Sequence, residues 1–181
     1  DTRKLFHNSN KAKFVNLFGE VSAQDFENQM AQSHGALIAL GRRLSLTFLH
    51  RNYNRGFIRY QTNGFGEGSN TQNEIGFYTG FDFRINSSWK ILGYYDVYRN
   101  PWIQFRTNNP SNGDDLWLEL EYKPSRAFAM YYRYRTETKY RNFSSTENLV
   151  NVMPFTLVRH RVHLSYQINQ ALSVRTRAEW N

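Results

Sequence analysis

The chain contains no cysteine in its 181 residues, which excludes disulfides and thiolate metal sites. A cysteine-free chain fits an exported barrel stabilised by closure of its own sheet, and it fits many cytosolic proteins as well. No stretch approaches the roughly 18 consecutive apolar residues that a transmembrane helix needs. There is no charged-then-apolar leader at Asp1, although a mature or trimmed chain reads the same way. Mean hydropathy is low, at −0.71. That argues against a helical membrane protein but not against a membrane strand, whose lipid-facing and water-facing residues average out as polar.

Aromatic residues are abundant, at 17% with 12 Tyr and 14 Phe, a level typical of the interface girdles of membrane barrels. The formal net charge of +8 invites a nucleic-acid reading. The arginines are spread over many segments, however. This suits a polar lumen, with cations at the rim meeting lipopolysaccharide phosphates, better than a single basic patch.

Period-two alternation is the decisive signal. In 73–85, Ile75, Phe77, Thr79, Phe81, Phe83 and Ile85 share one face, while Glu74, Gly76, Tyr78, Gly80, Asp82 and Arg84 share the other. Successive side chains of a strand point to opposite faces, so one side is apolar and the other polar along its whole length. Over 115–123, Leu116, Leu118, Leu120 and Tyr122 alternate with Trp117, Glu119, Glu121 and Lys123. Over 127–138, Phe128, Met130, Tyr132 and Tyr134 oppose Tyr131, Arg133, Arg135 and Glu137. Further on, Val162, Leu164, Tyr166 and Ile168 oppose Arg161, His163, Ser165 and Gln167. Finally, Leu172, Val174, Thr176, Ala178 and Trp180 oppose Ser173, Arg175, Arg177 and Glu179. Weaker versions occupy 13–23, 35–41, 44–53 and 89–98, the last carrying Asp96. The pattern predicts about nine strands, several near the 9–11 residues of a tilted membrane-crossing strand.

The links between these segments alternate in length. Short ones fall at Gly41-Arg42-Arg43, Asn86-Ser87-Ser88, Lys123-Pro124-Ser125-Arg126 and Asn169-Gln170, and long ones over 24–34, 54–72, 99–114 and 139–157. Short turns on one side and long loops on the other are what an outer-membrane barrel shows. Trp89 falls at a turn-side strand start, and Trp102 and Trp180 near loop-side ends, as an aromatic girdle. The fold expected is therefore all-β: an antiparallel up-and-down transmembrane β-barrel forming one domain over 1–181. The first and last strands run in the same direction and leave an open edge, so the chain reads as part of a larger barrel.

The ordered set Gly64-Phe65-Gly66-Glu67-Gly68, Asn73-Glu74-Ile75-Gly76-Phe77-Tyr78-Thr79-Gly80, Tyr95-Asp96-Val97-Tyr98, Pro101-Trp102 and Pro110-Ser111-Asn112-Gly113 resembles the β-barrel region of large outer-membrane proteins of Bacteroidota. Those proteins carry an N-terminal helix-hairpin-helix segment. The resemblance runs on through Arg133–Lys139. It implies a barrel longer than this chain, preceded by small domains of the competence-type DNA-binding class. The helix-hairpin-helix part lies outside these residues.

The expected function is that of an integral outer-membrane barrel of structural or transport class in a Gram-negative bacterium, without enzymatic activity or cofactor. Its partners would be outer-membrane lipid and lipopolysaccharide, together with other outer-membrane or periplasmic proteins. The charged rows Glu74, Asp82, Arg84, Asp96, Glu119, Glu121, Arg133, Arg135, Glu137, Arg161, Arg175, Arg177 and Glu179 are expected to face the lumen, pairing across strands. The apolar rows Ile75, Phe77, Phe81, Phe83, Leu116, Leu118, Leu120, Phe128, Met130, Val162, Leu164, Leu172 and Val174 are expected to face lipid. A module that binds an exported or imported polymer such as DNA through its loops and basic lumen is the alternative. The aromatic, basic stretch Arg55, Phe57, Arg59 and Tyr60 has the residue types to stack on and neutralise nucleic acid, but an interfacial strand end is the better reading of it. His163 and Ser165, about 7 Å apart on one face, suggest an outer-membrane esterase or phospholipase, but they share that face with Arg161 and Gln167 rather than with the apolar row. Asp114-Asp115 reads as a solvated loop rather than a calcium site. Gly64-x-Gly66-x-Gly68, with no helix after it, reads as a flexible extracellular loop rather than a phosphate cradle.

Overall fold

The structure is a computed structural model that describes residues 13–24, 29–58, 64–68, 70–144 and 150–181. Nine strands form: β1 (Lys13–Gln24), β2 (Gln29–Leu40), β3 (Leu44–Tyr53), β4 (Glu74–Arg84), β5 (Trp89–Asn100), β6 (Ser111–Tyr122), β7 (Phe128–Ser144), β8 (Val150–Gln167) and β9 (Ser173–Trp180). They lie in one antiparallel up-and-down sheet in chain order. No helix occurs among the described residues. β1 and β9 do not pair with each other, so the sheet is open.

The register carries one parity across the sheet. Arg51 lies opposite Gly76, Gly76 opposite Tyr98, Tyr98 opposite Gly113, and Gly113 opposite Lys139. Tyr78 follows through Asp96, Asp115 and Glu137. The expected charged rows therefore all fall on one face. The expected apolar rows within the strands fall on the other, as with Phe77 opposite Val97 and Met130 opposite Leu164. The polar face is less uniform at its β1–β2 end, where Phe14, Phe18 and Leu37 join it. That mixture explains why these two strands alternate only weakly.

Local chemistry closes the short turns. Asn86 Oδ1 accepts the backbone N–H groups of Ser88 and Trp89 at 2.8 and 2.9 Å, and Asn169 Oδ1 accepts those of Ala171 and Leu172 at 2.9 Å. Both are side-chain mimics of a backbone turn. Gly41 takes the left-handed φ of 76° that the first short turn requires.

Three of the four long links are shorter than the sequence suggests. Strand pairing already holds from Gln29 in β2 and from Ser111 in β6, and β7 and β8 stay paired out to Ser144 and Val150. Alternation marks a strand only while its two faces differ in polarity. Beyond Thr138 the sequence Lys139-Tyr140-Arg141-Asn142 is polar or amphipathic on both faces, so the ladder continues without a hydrophobic signature. Trp180 closes β9 at its loop-side end, but the extended β8 continues past its partner His160, on whose ring Trp180 stacks at 5.4 Å. Trp89 does open β5, stacking on Tyr122 at 4.3 Å. Trp102 sits in the β5–β6 link.

Gly76 sits where a side chain would block the interior. A Cβ there would lie 2.3 Å from Arg51 Cζ, so only glycine lets the Arg51 guanidinium cross over β4. Gly76→Val should displace Arg51 and destabilise the fold by about 2–4 kcal/mol, combining overpacking with a disrupted buried pair. The urea midpoint of the folded protein measures it, and an unchanged midpoint would show that the crossing carries no weight.

Candidate functional site: a buried charge network on the polar face

Among the described residues, the most buried large side chains are charged. Arg51 and Glu74 are 0% exposed and Asp115 is 2% exposed. A buried charge is tolerated only when paired and hydrogen-bonded, and each of these is. Arg51 on β3 donates from Nε to Glu74 Oε1 on β4 at 2.5 Å. Its two terminal nitrogens reach across Gly76 to Asp96 on β5, at 2.8 and 3.1 Å. One guanidinium fork thus holds two carboxylates on two further strands, a geometry a lysine point charge could not reproduce.

Glu74 is completed from above by the β3–β4 link. The backbone N–H groups of Glu67 and Gly68 donate to its carboxylate at 3.1–3.2 Å. Phe65 places its ring over the Arg51 guanidinium at 5.3 Å and edge-on to Tyr78 at 5.3 Å, and its carbonyl accepts from Tyr53 Oη at 2.9 Å. Glu67 then reaches Lys139 of β7 at 3.2 Å. Burial raises the Glu67 carboxyl above its ordinary range, against the opposing pull of the Lys139 ammonium. The Gly64–Gly68 segment is therefore not the free loop expected from its glycines. It is tied down across the polar face, and its glycines serve close approach, since a Cβ at Gly66 would come within 3.0 Å of Glu74 Oε1.

Next to this cluster, Asp115 accepts from Tyr94 Oη at 2.8 Å and from two nitrogens of Arg135 at 2.9 and 2.7 Å. Asp115 is thus a buried strand residue and not part of a solvated loop. Among the described residues no cluster of His, Asp or Glu could hold a metal ion. Tyr78, Tyr94 and Trp117 stack in series beside these charges, at 5.3 and 5.6 Å.

The remaining charged residues divide by strand pair. Asp82 meets Lys90 at 2.7 Å, Glu119 meets Arg133 at 2.6 Å, Glu137 meets Lys139 at 2.8 Å and Arg159 at 3.9 Å, and Glu179 meets Arg161 at 2.9 Å. Glu121 lies directly opposite Lys90. Arg84, Arg175 and Arg177 share the face but are exposed, and no carboxylate pairs with them among the described residues. His163 stacks on Tyr131 at 5.0 Å; Ser165 is on the same face, and no hydrogen bond joins the two. Phe57 is 4% exposed and packs with Ala31 and Tyr53, which leaves it closed to a stacking base. Arg55 covers Trp102 at 4.5 Å. Arg59 and Tyr60 lie outside the described residues.

Sequence reasoning did not single out Arg51, the centre of the network. It sits in a strand where Leu44-Ser45-Leu46-Thr47-Phe48-Leu49 blurs the alternation. A lone arginine sharing parity with Tyr53 and facing a glycine of the next strand was the available signal. Comparison with protein-family models, with curated proteins and with solved structures gives no match to this chain.

Replacing Arg51 with Met should cost about 3–5 kcal/mol, because two buried carboxylates lose their partner. Adding Glu74→Gln and Asp96→Asn should restore part of that loss. Unfolding midpoints of the single and triple variants, compared under the same conditions, test the coupling; strictly additive losses would refute it.

Proposed function

We propose that this chain is a membrane-spanning portion of an outer-membrane β-barrel of structural or transport class. Its apolar face would meet acyl chains and its charged face a polar interior. One observation carries the reading: burial is inverted relative to a water-soluble sheet. Arg51, Glu74 and Asp115 are enclosed. On the opposite face Val15, Leu17, Phe77, Phe83, Val97 and Val174 remain open, Leu17 at 75% exposure. A single-layer sheet with that face in water would expose far more contiguous apolar surface than soluble monomers carry; in hydrocarbon the same face is satisfied.

Dimensions support the reading. β2 to β6 are 10–12 residues long, close to what a tilted strand needs to cross a bilayer. On the apolar face the Leu118 row is flanked by aromatics toward both ends, Trp89, Tyr122 and Phe128 at the turn side and Tyr95 and Tyr140 farther up, as interfacial girdles are.

In this reading the open edges at β1 and β9 are covered by further strands, since unpaired backbone is not tolerated in hydrocarbon. The junctions from β3 to β9 match acids with cations on the polar face, while no carboxylate among the described residues pairs with Arg175 and Arg177 of β9. The strand that pairs with β9 is therefore expected to carry carboxylates opposite them. The same architecture is what the resemblance to Bacteroidota barrels implies.

Leu118→Arg tests the direction of the apolar face. It should impair insertion into lipid vesicles by about 2–4 kcal/mol, the usual cost of a mid-bilayer arginine on a barrel's lipid face, whereas Ser165→Arg on the polar face should insert normally. Insertion is read by heat-modifiable gel mobility and protease protection. A monomeric, detergent-free soluble protein that tolerates Leu118→Arg would end the reading.

A further inference from the structure

A concavity of about 180 Å³ opens on the polar face where β5, β6 and β7 meet the 101–110 link. Its charged lining is three cations, Arg106, Lys139 and Arg141, against one carboxylate, Glu67. Three positive charges against one negative leave two positive charges in excess. Glu67 is already engaged by Lys139 at 3.2 Å, and Lys139 also meets Glu137 at 2.8 Å. Arg106 and Arg141 have no carboxylate partner among the described residues.

The backbone at the site is held in an uncommon conformation. Arg106 has φ of 65°, in the left-handed region that costs an L-residue other than glycine or asparagine. The surroundings impose it. Gln104 and Thr107 exchange two backbone hydrogen bonds at 3.0 Å, and the Arg106 carbonyl accepts from the Asn142 N–H at 2.9 Å. The Arg106 guanidinium rests on the Phe105 ring at 5.1 Å. Strain of this kind, fixed by neighbours at the lip of a cationic pocket, is a feature of ligand clamps.

The walls are built as well. Asn100 is 4% exposed; its amide nitrogen donates to the Asn73 carbonyl at 2.9 Å and its oxygen accepts from Gln104 Nε2 at 3.1 Å. Ser111 Oγ lies 3.5 Å from the same oxygen. That is a long contact, so the hydroxyl can turn to a better acceptor.

We propose that this pocket binds the phosphate group of a small phosphorylated solute. The two guanidinium forks of Arg106 and Arg141 match the several oxygens of phosphate, and a dianion neutralises their two charges. A neutral sugar offers these cations nothing comparable, and the volume suits a phosphate with little attached to it. The inference needs only the polar face and its link, so it stands apart from whether the opposite face meets lipid.

The test uses the whole chain folded in detergent micelles, with calorimetric titration of inorganic phosphate, glucose 6-phosphate and glucose at constant low ionic strength. Both phosphates should bind and glucose should not. Arg106→Asn keeps a residue that tolerates the left-handed backbone, and it should weaken phosphate about tenfold or more, as loss of a charged hydrogen bond does. Arg141→Gln should weaken it similarly, and Arg106→Lys should recover part of the loss. Circular dichroism of each variant establishes that the sheet is intact. Absence of phosphate binding by the folded wild type, equal binding of glucose, or unchanged affinity in both Arg106→Asn and Arg141→Gln would overturn the assignment.

Discussion

A charge cannot be left alone in a space that water does not fill, and in this sheet that constraint is met by Arg51. Its guanidinium satisfies Glu74 and Asp96 together, and in doing so it spans three strands. The crossing needs a bare backbone at Gly76. It also needs a register that puts Arg51, Gly76 and the Asp96 strand in line, because a slip of one residue would send every one of these side chains to the other face. Placement of a few buried charges therefore fixes the pairing of β3, β4 and β5 more tightly than apolar contacts on an exposed face could.

The β3–β4 link follows from the same requirement. Glu74 has more acceptor capacity than Arg51 uses, and the Glu67 and Gly68 backbone N–H groups fill it. Once anchored, the link puts Phe65 on the guanidinium and Glu67 on Lys139, which connects the Arg51 cluster to β7. Asp115, Tyr94 and Arg135 form a neighbouring network of the same kind. The interior is thus packed with ion pairs and aromatic rings in place of an aliphatic core. Only Ala31, Tyr53, Phe57 and Tyr98 are buried hydrophobics among the described residues.

This division of labour separates two kinds of surface. The apolar face carries few directional contacts; in the proposed reading its solvent would be acyl chains, which ask for greasiness rather than fit. The polar face is specific, and its character changes along the sheet. Acids gather at its centre, on β4 to β6, while β8 and β9 bring Arg159, Arg161, His163, Arg175 and Arg177 against Glu179. The loop-side pocket lies near the seam between the two regions, where cations of the 101–110 link and of β7 converge around the Glu67–Lys139 pair.

Much of this was legible in the chain as written. Alternation gave the strands at 73–85, 115–123 and 127–138 and sorted their side chains onto faces, because the period of a strand is two whatever its surroundings. Asparagine, glycine and proline marked the short turns for equally local reasons. Tertiary structure alone decided which charges are enclosed, since what lies across the sheet from Arg51 or from Arg84 is not written in the strand that carries it. It alone decided that the glycine-rich link is anchored and that Asp115 is buried, because partners such as Arg135 are distant in the chain. It also decided that β7 and β8 extend past their apolar stretch, since backbone pairing needs a neighbouring strand and no contrast between faces. Local periodicity sets the direction of a side chain; what that side chain meets depends on residues brought near only by folding.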